Sequence, residues 1–442
     1  MAKSIRILVL LLPLLVSCLH DEETPQPNVL LIVIDSMRAR NLSCYGYERN
    51  TTPNIDSLAG EGTLFLNCLS QSSWTLPSFA SILTGTSRVS HGTGVSLQRR
   101  GDGEDRSGWN EWHNKLHPDA PFLASLLRDR GYRTYAHFNV AFLSEEYGFK
   151  RGVDHYTCED AGNACAAAVV DRFTEWLENG ESDEPFMAVL HLFDPHAPYN
   201  PPSPYDTLFG PLAENHLTTW LLSENGEVLN PENLQHYIDL YDGETAYADA
   251  ELGRLFAFLR SEGISENTVV IVTADHGEEF LEHGGIDHGH AFFQEIIHVP
   301  LIIAGPGVPE GVVEHSWVGS FDILPTILAM TGVPVPDVVE GVDLFSGTPD
   351  LRVIPSSGKL QMRTPWICSV VQDGAKTLRM DGDTDYTDMV TDLALDPFEN
   401  FYEVVDNCPL ADHYMLAPTV WEPIAVRMDP SLSPLLRDLG YF

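Results

Sequence analysis

Positive charge is what this sequence has least of. Lys and Arg number 25 against 64 Asp and Glu, a formal net charge of −39 over 442 residues, and no basic run occurs anywhere. Tracking a phosphate backbone needs clustered Lys and Arg, so nucleic acid is excluded as a partner. Long apolar runs are scarce as well: Ile7 to Val16 falls short of the about 20 residues that a membrane helix requires. Internal repeats and low-complexity tracts are absent. With 43% hydrophobic residues the chain still has ample material for a large buried core. The acidity reads as a soluble, salt-tolerant surface. An anionic substrate would be repelled at long range and would need a local positive charge, such as a metal.

The first 18 residues have their own pattern: Lys3 and Arg6, the short apolar run, then Ser17 and Cys18. This is the layout of a secretory signal. Leu15-Val-Ser-Cys18 also matches a bacterial lipobox, whose Cys is lipidated after cleavage; the alternative is an ordinary signal peptide with a chance Cys. Residues 1–18 are therefore expected to be a signal peptide with lipobox and 19–27 a tether. The protein would be exported and lipid-anchored in the bacterial cell envelope through Cys18. Removing Cys18 from seven cysteines leaves six, so disulfides are allowed but not required; Cys158 and Cys165 are close enough to pair.

Apolar runs of strand length recur at Val29 to Ile34, Phe186 to Phe193, Val269 to Thr273 and Val299 to Ala304. Helical patterns such as Phe122 to Arg130 and Ala246 to Leu259 lie between them. Alternation of this kind predicts an α/β sandwich around a buried, largely parallel sheet. The stretch from Pro201 to Pro231 reads as a surface excursion. Beyond Pro349 the pattern becomes shorter and more polar, as expected of a small C-terminal subdomain spanning 349–442 after a main domain of 28–348.

Two of the apolar strands run straight into an acid: Ile34 precedes Asp35, and Ala274 precedes Asp275 and His276. Ligands of open α/β sheets bind outside the carboxyl ends of strands, so these groups can converge there. Two converging carboxylates repel unless a cation lies between them. The alternative is that each Asp only caps the following turn. A third feature is Ser73 to Gly85, where Leu76, Phe79, Ala80 and Leu83 have helical spacing and Gly85 stops the run. Thr75 then sits near the start of a helix, at its positive end. Alone it reads more readily as a helix-capping Thr without chemistry.

These features occur with others in a fixed order: Asn28-Val-Leu-Leu-Ile-Val-Ile-Asp-Ser-Met-Arg38, Cys44-Tyr-Gly-Tyr, Thr52-Pro-Asn-Ile-Asp-Ser-Leu-Ala, Pro77-Ser-Phe-Ala-Ser-Ile-Leu-Thr-Gly85, Asp194-Pro-His-Ala-Pro-Tyr and Thr273-Ala-Asp-His-Gly-Glu. In order and spacing the set resembles the sulfatase family of the alkaline phosphatase superfamily. The resemblance implies a three-layer α/β sandwich, an ester hydrolase activity, and Asp35, Asp275 and His276 as metal ligands, with Thr75 both ligand and nucleophile. It also implies that His196 and His290 hold the transferred group and protonate the leaving oxygen. His191, His283 and His288 read as supporting groups or surface.

Three departures redirect the chemistry. Sulfatases carry formylglycine made from Cys or Ser in a Cys/Ser-x-Pro-x-Arg motif; here it reads Thr75-Leu-Pro-Ser-Phe79, so no formylglycine is expected. Phe138-Asn-Val-Ala141 replaces a segment whose Lys and His hold sulfate, and Ser36 replaces the second Asp of the usual pair. A threonine ester must be cleaved by water at the central atom, which phosphorus accepts readily. The expectation is hydrolysis of a phosphate, phosphodiester or phosphonate ester, or phosphoryl transfer, through a covalent Thr75 intermediate. The alternatives are a sulfuric ester hydrolase working without formylglycine and a non-catalytic surface lipoprotein acting as a binding module. A ligand set of oxygens with one imidazole favours Mn²⁺ or Zn²⁺, with Ca²⁺ or Mg²⁺ also open. The expected partners are an anionic ester and a membrane reached only through the lipid; no protein partner is indicated.

Overall fold

In the computed structural model, residues 26–94, 112–159, 164–180, 184–211, 231–347, 352–358, 366–381, 386–405, 421 and 424–427 are described. Cys18, the signal segment and nearly all of the tether lie outside them.

All four expected strands form, at Asn28–Ile34, Phe186–Leu192, Thr268–Ala274 and His298–Ala304. We number the main-sheet strands β1 (Asn28–Ile34), β2 (Gly62–Leu69), β3 (Arg133–Phe138), β4 (His155–Cys158), β5 (Phe186–Leu192), β6 (Thr268–Ala274), β7 (His298–Ala304) and β8 (Val312–Gly319). They are arranged β8-β2-β7-β6-β1-β5-β3-β4. Only β7 is antiparallel to its neighbours, so the sheet is largely parallel as expected.

β1 is the sheet's spine. Its apolar residues Val29 to Ile34 are fully buried, each contributing about 1.5–3 kcal/mol relative to exposure. Parallel pairing places Ile34 opposite Ala274 of β6 on one side and Leu192 of β5 on the other. A slip of one residue would turn the whole run over, so the register that buries β1 also fixes where Asp35 and Asp275 emerge.

Of helices α1 (Pro53–Gly60), α2 (Thr75–Thr84), α3 (Leu123–Arg128) and α4 (Pro231–Ser261), α3 falls within the expected Phe122 to Arg130 pattern, and the Ala246 to Leu259 pattern is the second half of the 31-residue α4. Among the described residues no helix is long and apolar enough to cross a membrane. Of the Pro201 to Pro231 excursion, residues 201–211 form a short turn and 212–230 lie outside the described residues. Antiparallel strands at Val353–Ser357, Trp366–Gln372, Ala375–Asp381, Tyr386–Asp392 and Glu403–Val405 make a second, five-stranded sheet. The Cys158 thiol donates to the Val140 carbonyl, and no disulfide joins it to Cys165.

Candidate active site

Helix α2 (Thr75–Thr84) follows β2 through a turn at residues 70–74. Gly85 ends it with φ of 67°, a left-handed conformation that costs glycine little, donating its N–H to Ser81. Trp74 is extended and Thr75 is the first helical residue, at the positive end expected from the sequence. The Ser70 hydroxyl donates to the Asp275 carbonyl, and Gly289 N–H donates to the Ser73 carbonyl at 2.8 Å. These bonds tie the turn before Thr75 to the loop that follows β6.

Asp35, Asp275 and His276 converge, with one ligand atom of each within 4.8 Å of the others, and all three are buried. His276 Nδ1 donates to the Gly277 carbonyl at 2.9 Å, which leaves an Nε2 lone pair facing inward. That Nε2 lies 3.3 Å from Thr75 Oγ1, 3.3 Å from Asp275 Oδ2 and 3.6 Å from Asp35 Oδ1. Burial, aided by the nearby His288, pushes the His276 pKa down to about 3, so it is neutral. A lone pair directed at two carboxylate oxygens is repulsive, and Asp275 Oδ2 is buried with no hydrogen-bond partner. Both features vanish if a divalent cation sits among the four side chains, so the donor set fits the metal expected here.

The two carboxylates are differently supported. Burial raises Asp35, but the hydrogen bond from His191 and the charges of His196, His276 and His191 outweigh it and hold the carboxyl well below its usual value. His191 Nδ1 accepts the Asn139 N–H at 3.2 Å, which assigns the ring proton to Nε2, 3.0 Å from Asp35 Oδ2. Asp275 is pushed well above its usual value by burial and by Asp35 itself, as expected of a carboxylate pair without its cation. Ser36, standing in for an acid, takes φ of 56°; its hydroxyl donates to Asp35 at 3.0 Å and its N–H to Asp275 at 3.3 Å. Tyr241 holds this turn by donating to the Ser36 carbonyl at 2.8 Å and accepting the Arg38 N–H at 2.9 Å.

Phe79 occupies the position of the family's Arg. It packs edge-on against His191 at 4.9 Å and Phe138 at 5.8 Å, an apolar wall behind the Asp35 partner.

His196 follows β5 and is buried, its Nδ1 donating to the Ala197 carbonyl at 2.6 Å and its ring stacked on Phe193 at 4.3 Å. It reaches the group of Asp35, Asp275 and His276 through His288, whose ring is 5.0 Å from His196 and 4.1 Å from His276. His288, expected to be a supporting group or surface, is buried between the two rings. Burial disfavours its charge, but Asp287 at 2.8 Å and Glu278 at 3.4 Å outweigh that and raise its pKa well above normal. The available signal was its place two residues from His290 and beside Asp287, which spacing alone could not rank.

His290 lies against Glu279, with Nε2 2.7 Å from the carboxylate and Nδ1 3.3 Å from the His288 carbonyl. The geometry thus brings together Asp35, Thr75, Asp275 and His276, adds His196 through His288, and places His290 in a neighbouring ion pair. Beyond it, His283 bridges Glu295 at 2.5 Å and the Glu399 carbonyl at 3.0 Å, and Lys376 Nζ meets Glu399 at 2.6 Å. Lys376 and Glu399 belong to the C-terminal part of the chain, which therefore braces the loop carrying the histidines.

The family model described as Sulfatase matches residues 27–333. The chain belongs to the sulfatase family. It is 27% identical to the ulvan-active sulfatase of Formosa agariphila over 350 residues, covering 74% of this chain but 65% of that protein, less than two thirds of its length. Bovine arylsulfatase K is likewise 27% identical, over 78% of this chain and 69% of its own. The fold matches that of the phosphonate monoester hydrolase of Agrobacterium radiobacter with a TM-score of 0.67 at 20% identity, over 94% of this chain and 96% of that one. The sandwich with its C-terminal antiparallel sheet is the fold of the sulfatase family.

Proposed function

We propose that this sulfatase-family enzyme cleaves a phosphate, phosphodiester or phosphonate ester, or transfers its phosphoryl group, through a covalent Thr75 intermediate. The observation that carries the reading is Thr75 Oγ1 at the head of α2, 3.3 Å from a His276 Nε2 that has no proton of its own to give. Thr75 cannot become formylglycine, and a threonine ester is resolved by water at phosphorus. The fold shared with phosphonate monoester hydrolases from two bacteria is in keeping with this.

A divalent ion held by Asp35, Asp275, His276 and Thr75, with Mn²⁺ or Zn²⁺ preferred over Ca²⁺ or Mg²⁺, would acidify the hydroxyl and polarise a non-bridging oxygen. The Thr75 oxygen bonds to phosphorus as the ester's leaving oxygen departs with a proton. Water then attacks the same phosphorus, breaks its bond to Thr75 Oγ1 and restores the hydroxyl. His191 keeps Asp35 ionised and oriented. His196, with His288 beside it, is assigned to the leaving oxygen, and His290 to orienting Glu279 one layer out. Export and a lipid anchor at Cys18 belong to the same proposal.

A second reading, hydrolysis of a sulfuric ester without formylglycine, is favoured by the relatives, which are named as sulfatases. Turnover of nitrophenyl phosphate, phosphodiester, phosphonate and sulfate by wild type and Thr75→Ala ranks the two. Preference for the sulfate overturns the phosphoryl reading, and equal activity of the two proteins overturns the nucleophile. Stoichiometric metal without turnover of any ester would instead indicate a binding module.

A further inference from the structure

Beside the group of Asp35, Asp275 and His276 lies a second set of donors, to which the proposed reaction gives no ligand role. Glu278 precedes the short strand Glu279–Phe280, which pairs with Ile286–Asp287 so that Glu279 stands opposite Asp287. The hairpin thus returns Asp287 and His288 to Glu278. One donor atom from each of the three lies within 4.8 Å of the other two. His288 Nδ1 is 2.8 Å from Asp287 Oδ1 and 3.4 Å from Glu278 Oε1. Metal bonds of about 2.0–2.2 Å at tetrahedral or octahedral angles set neighbouring donors about 3 Å apart, so this spacing suits a small divalent cation.

An unsatisfied atom points into this set. Glu278 is 1% exposed; its Oε2 accepts the Tyr199 hydroxyl at 3.1 Å, while its Oε1 is buried and accepts no hydrogen bond. Among the described residues neither Glu278 nor Asp287 pairs with Lys or Arg. A proton on His288 balances one of the two negative charges, whereas a divalent ion balances both. The neighbouring trio of Glu279, His283 and Glu295 has the same kinds of donor at the same closeness, yet it is already bonded. Glu279 Oε1 accepts the N–H groups of His283 at 3.0 Å and Gly285 at 2.6 Å, Oε2 meets His290 at 2.7 Å, and both His283 ring nitrogens are engaged. Of the two trios, only the first holds a buried carboxylate oxygen without a hydrogen-bond partner.

We propose that Glu278, Asp287 and His288 bind a second divalent ion, next to the one expected at Thr75. Their single imidazole favours Mn²⁺ or Zn²⁺ over Ca²⁺. The His288 ring stands 4.1 Å from that of His276, whose Nε2 is 3.3 Å from Thr75 Oγ1, and 5.0 Å from that of His196. Three protein donors leave coordination positions open. An ion there adds positive charge on the side of His196, where the departing oxygen gains negative charge. That role rests on the hydrolase reading; occupancy of the site does not.

The test counts ions on the full-length protein after chelation, reloading with Mn²⁺ or Zn²⁺ and dialysis, read by elemental mass spectrometry. Wild type is expected to retain two ions per chain, and Glu278→Gln and Asp287→Asn each to retain one. A single ion in wild type, or a count unchanged from wild type in either variant, overturns the proposal. Should a variant not fold, wild-type crystals soaked in Mn²⁺ decide. Anomalous density among Glu278, Asp287 and His288 upholds the site, and density confined to Asp35, Asp275 and His276 overturns it. Two ions per chain, one of them lost in each variant, without turnover of any ester would uphold this site while the hydrolase reading fails.

Discussion

His276 offers its Nε2 lone pair to Thr75 Oγ1 at 3.3 Å because its Nδ1 proton is committed to the Gly277 carbonyl. The backbone of the next residue thereby fixes the tautomer, and the tautomer makes the imidazole a ligand. Asp35 receives the mirror treatment: the Asn139 N–H occupies His191 Nδ1 and sends the Nε2 proton to the carboxylate. His276 and Asp35 are thus each set by a partner one layer further out.

Metal removal should be visible without any substrate. Asp35 and Asp275 are buried side by side, so chelation is expected to lower the thermal midpoint, and adding Mn²⁺ or Zn²⁺ at about 100 times Kd to restore about 2.7 kcal/mol. Differential scanning calorimetry checks this. A midpoint indifferent to both treatments contradicts the assignment of Asp35, Asp275 and His276 as ligands.

The role of His196 should depend on the leaving group. His196→Asn is expected to lower kcat by roughly 10²–10⁴ on an alkyl ester, whose oxygen needs a proton, and by much less on a nitrophenyl ester. Comparing kcat for the two esters gives the answer, and equal losses on both would remove His196 from leaving-group protonation.

Stability should fall on the alkaline side through His283. Burial opposes its charge, but Glu295 and the Glu399 carbonyl raise its pKa to about 9. A histidine raised above its unfolded value of about 6.5 contributes stability that is fully present below that pH and lost as pH climbs through about 9. After allowance for screening the loss is on the order of 2 kcal/mol. Urea titrations between pH 6 and 10 should show the slope in wild type and a flatter one in His283→Gln.

Lys376 and Glu399 are both fully buried and 2.6 Å apart, which makes single and double substitutions diverge. Lys376→Met leaves a buried carboxylate unpaired and is expected to cost about 3–5 kcal/mol, whereas Lys376→Met with Glu399→Leu should recover most of it. Chemical denaturation of the three proteins measures both. A double variant no better than the single one would place the cost elsewhere.

Much of this was legible in the sequence because strands and helix starts carry local signatures. The apolar runs ending at Ile34 and Ala274 gave the strands, and parallel pairing of two such strands was enough to set Asp35 beside Asp275 and His276. Thr75 was legible from the spacing of Leu76, Phe79, Ala80 and Leu83 and from the stop at Gly85. The histidines after β6 were not. Whether His288 or His290 faces the cluster depends on a loop of turns, with Asp287 at φ of 76°, and on which carboxylate each ring meets. No periodicity encodes such choices. Nor could the sequence tell that Phe79 would back His191, because the two meet only across the sheet and helix.

The central claim is a covalent phosphoryl group on Thr75. Its most direct test is to mix full-length, metal-loaded enzyme with a nitrophenyl phosphate or phosphonate ester, quench in acid within the first turnover, and map the modified residue by peptide mass spectrometry. The account predicts up to one phosphoryl or phosphonyl group per chain, on Thr75 and absent from Thr75→Ala, with a matching burst of nitrophenol. Turnover without any modified Thr75, or with the group on another residue, would contradict it.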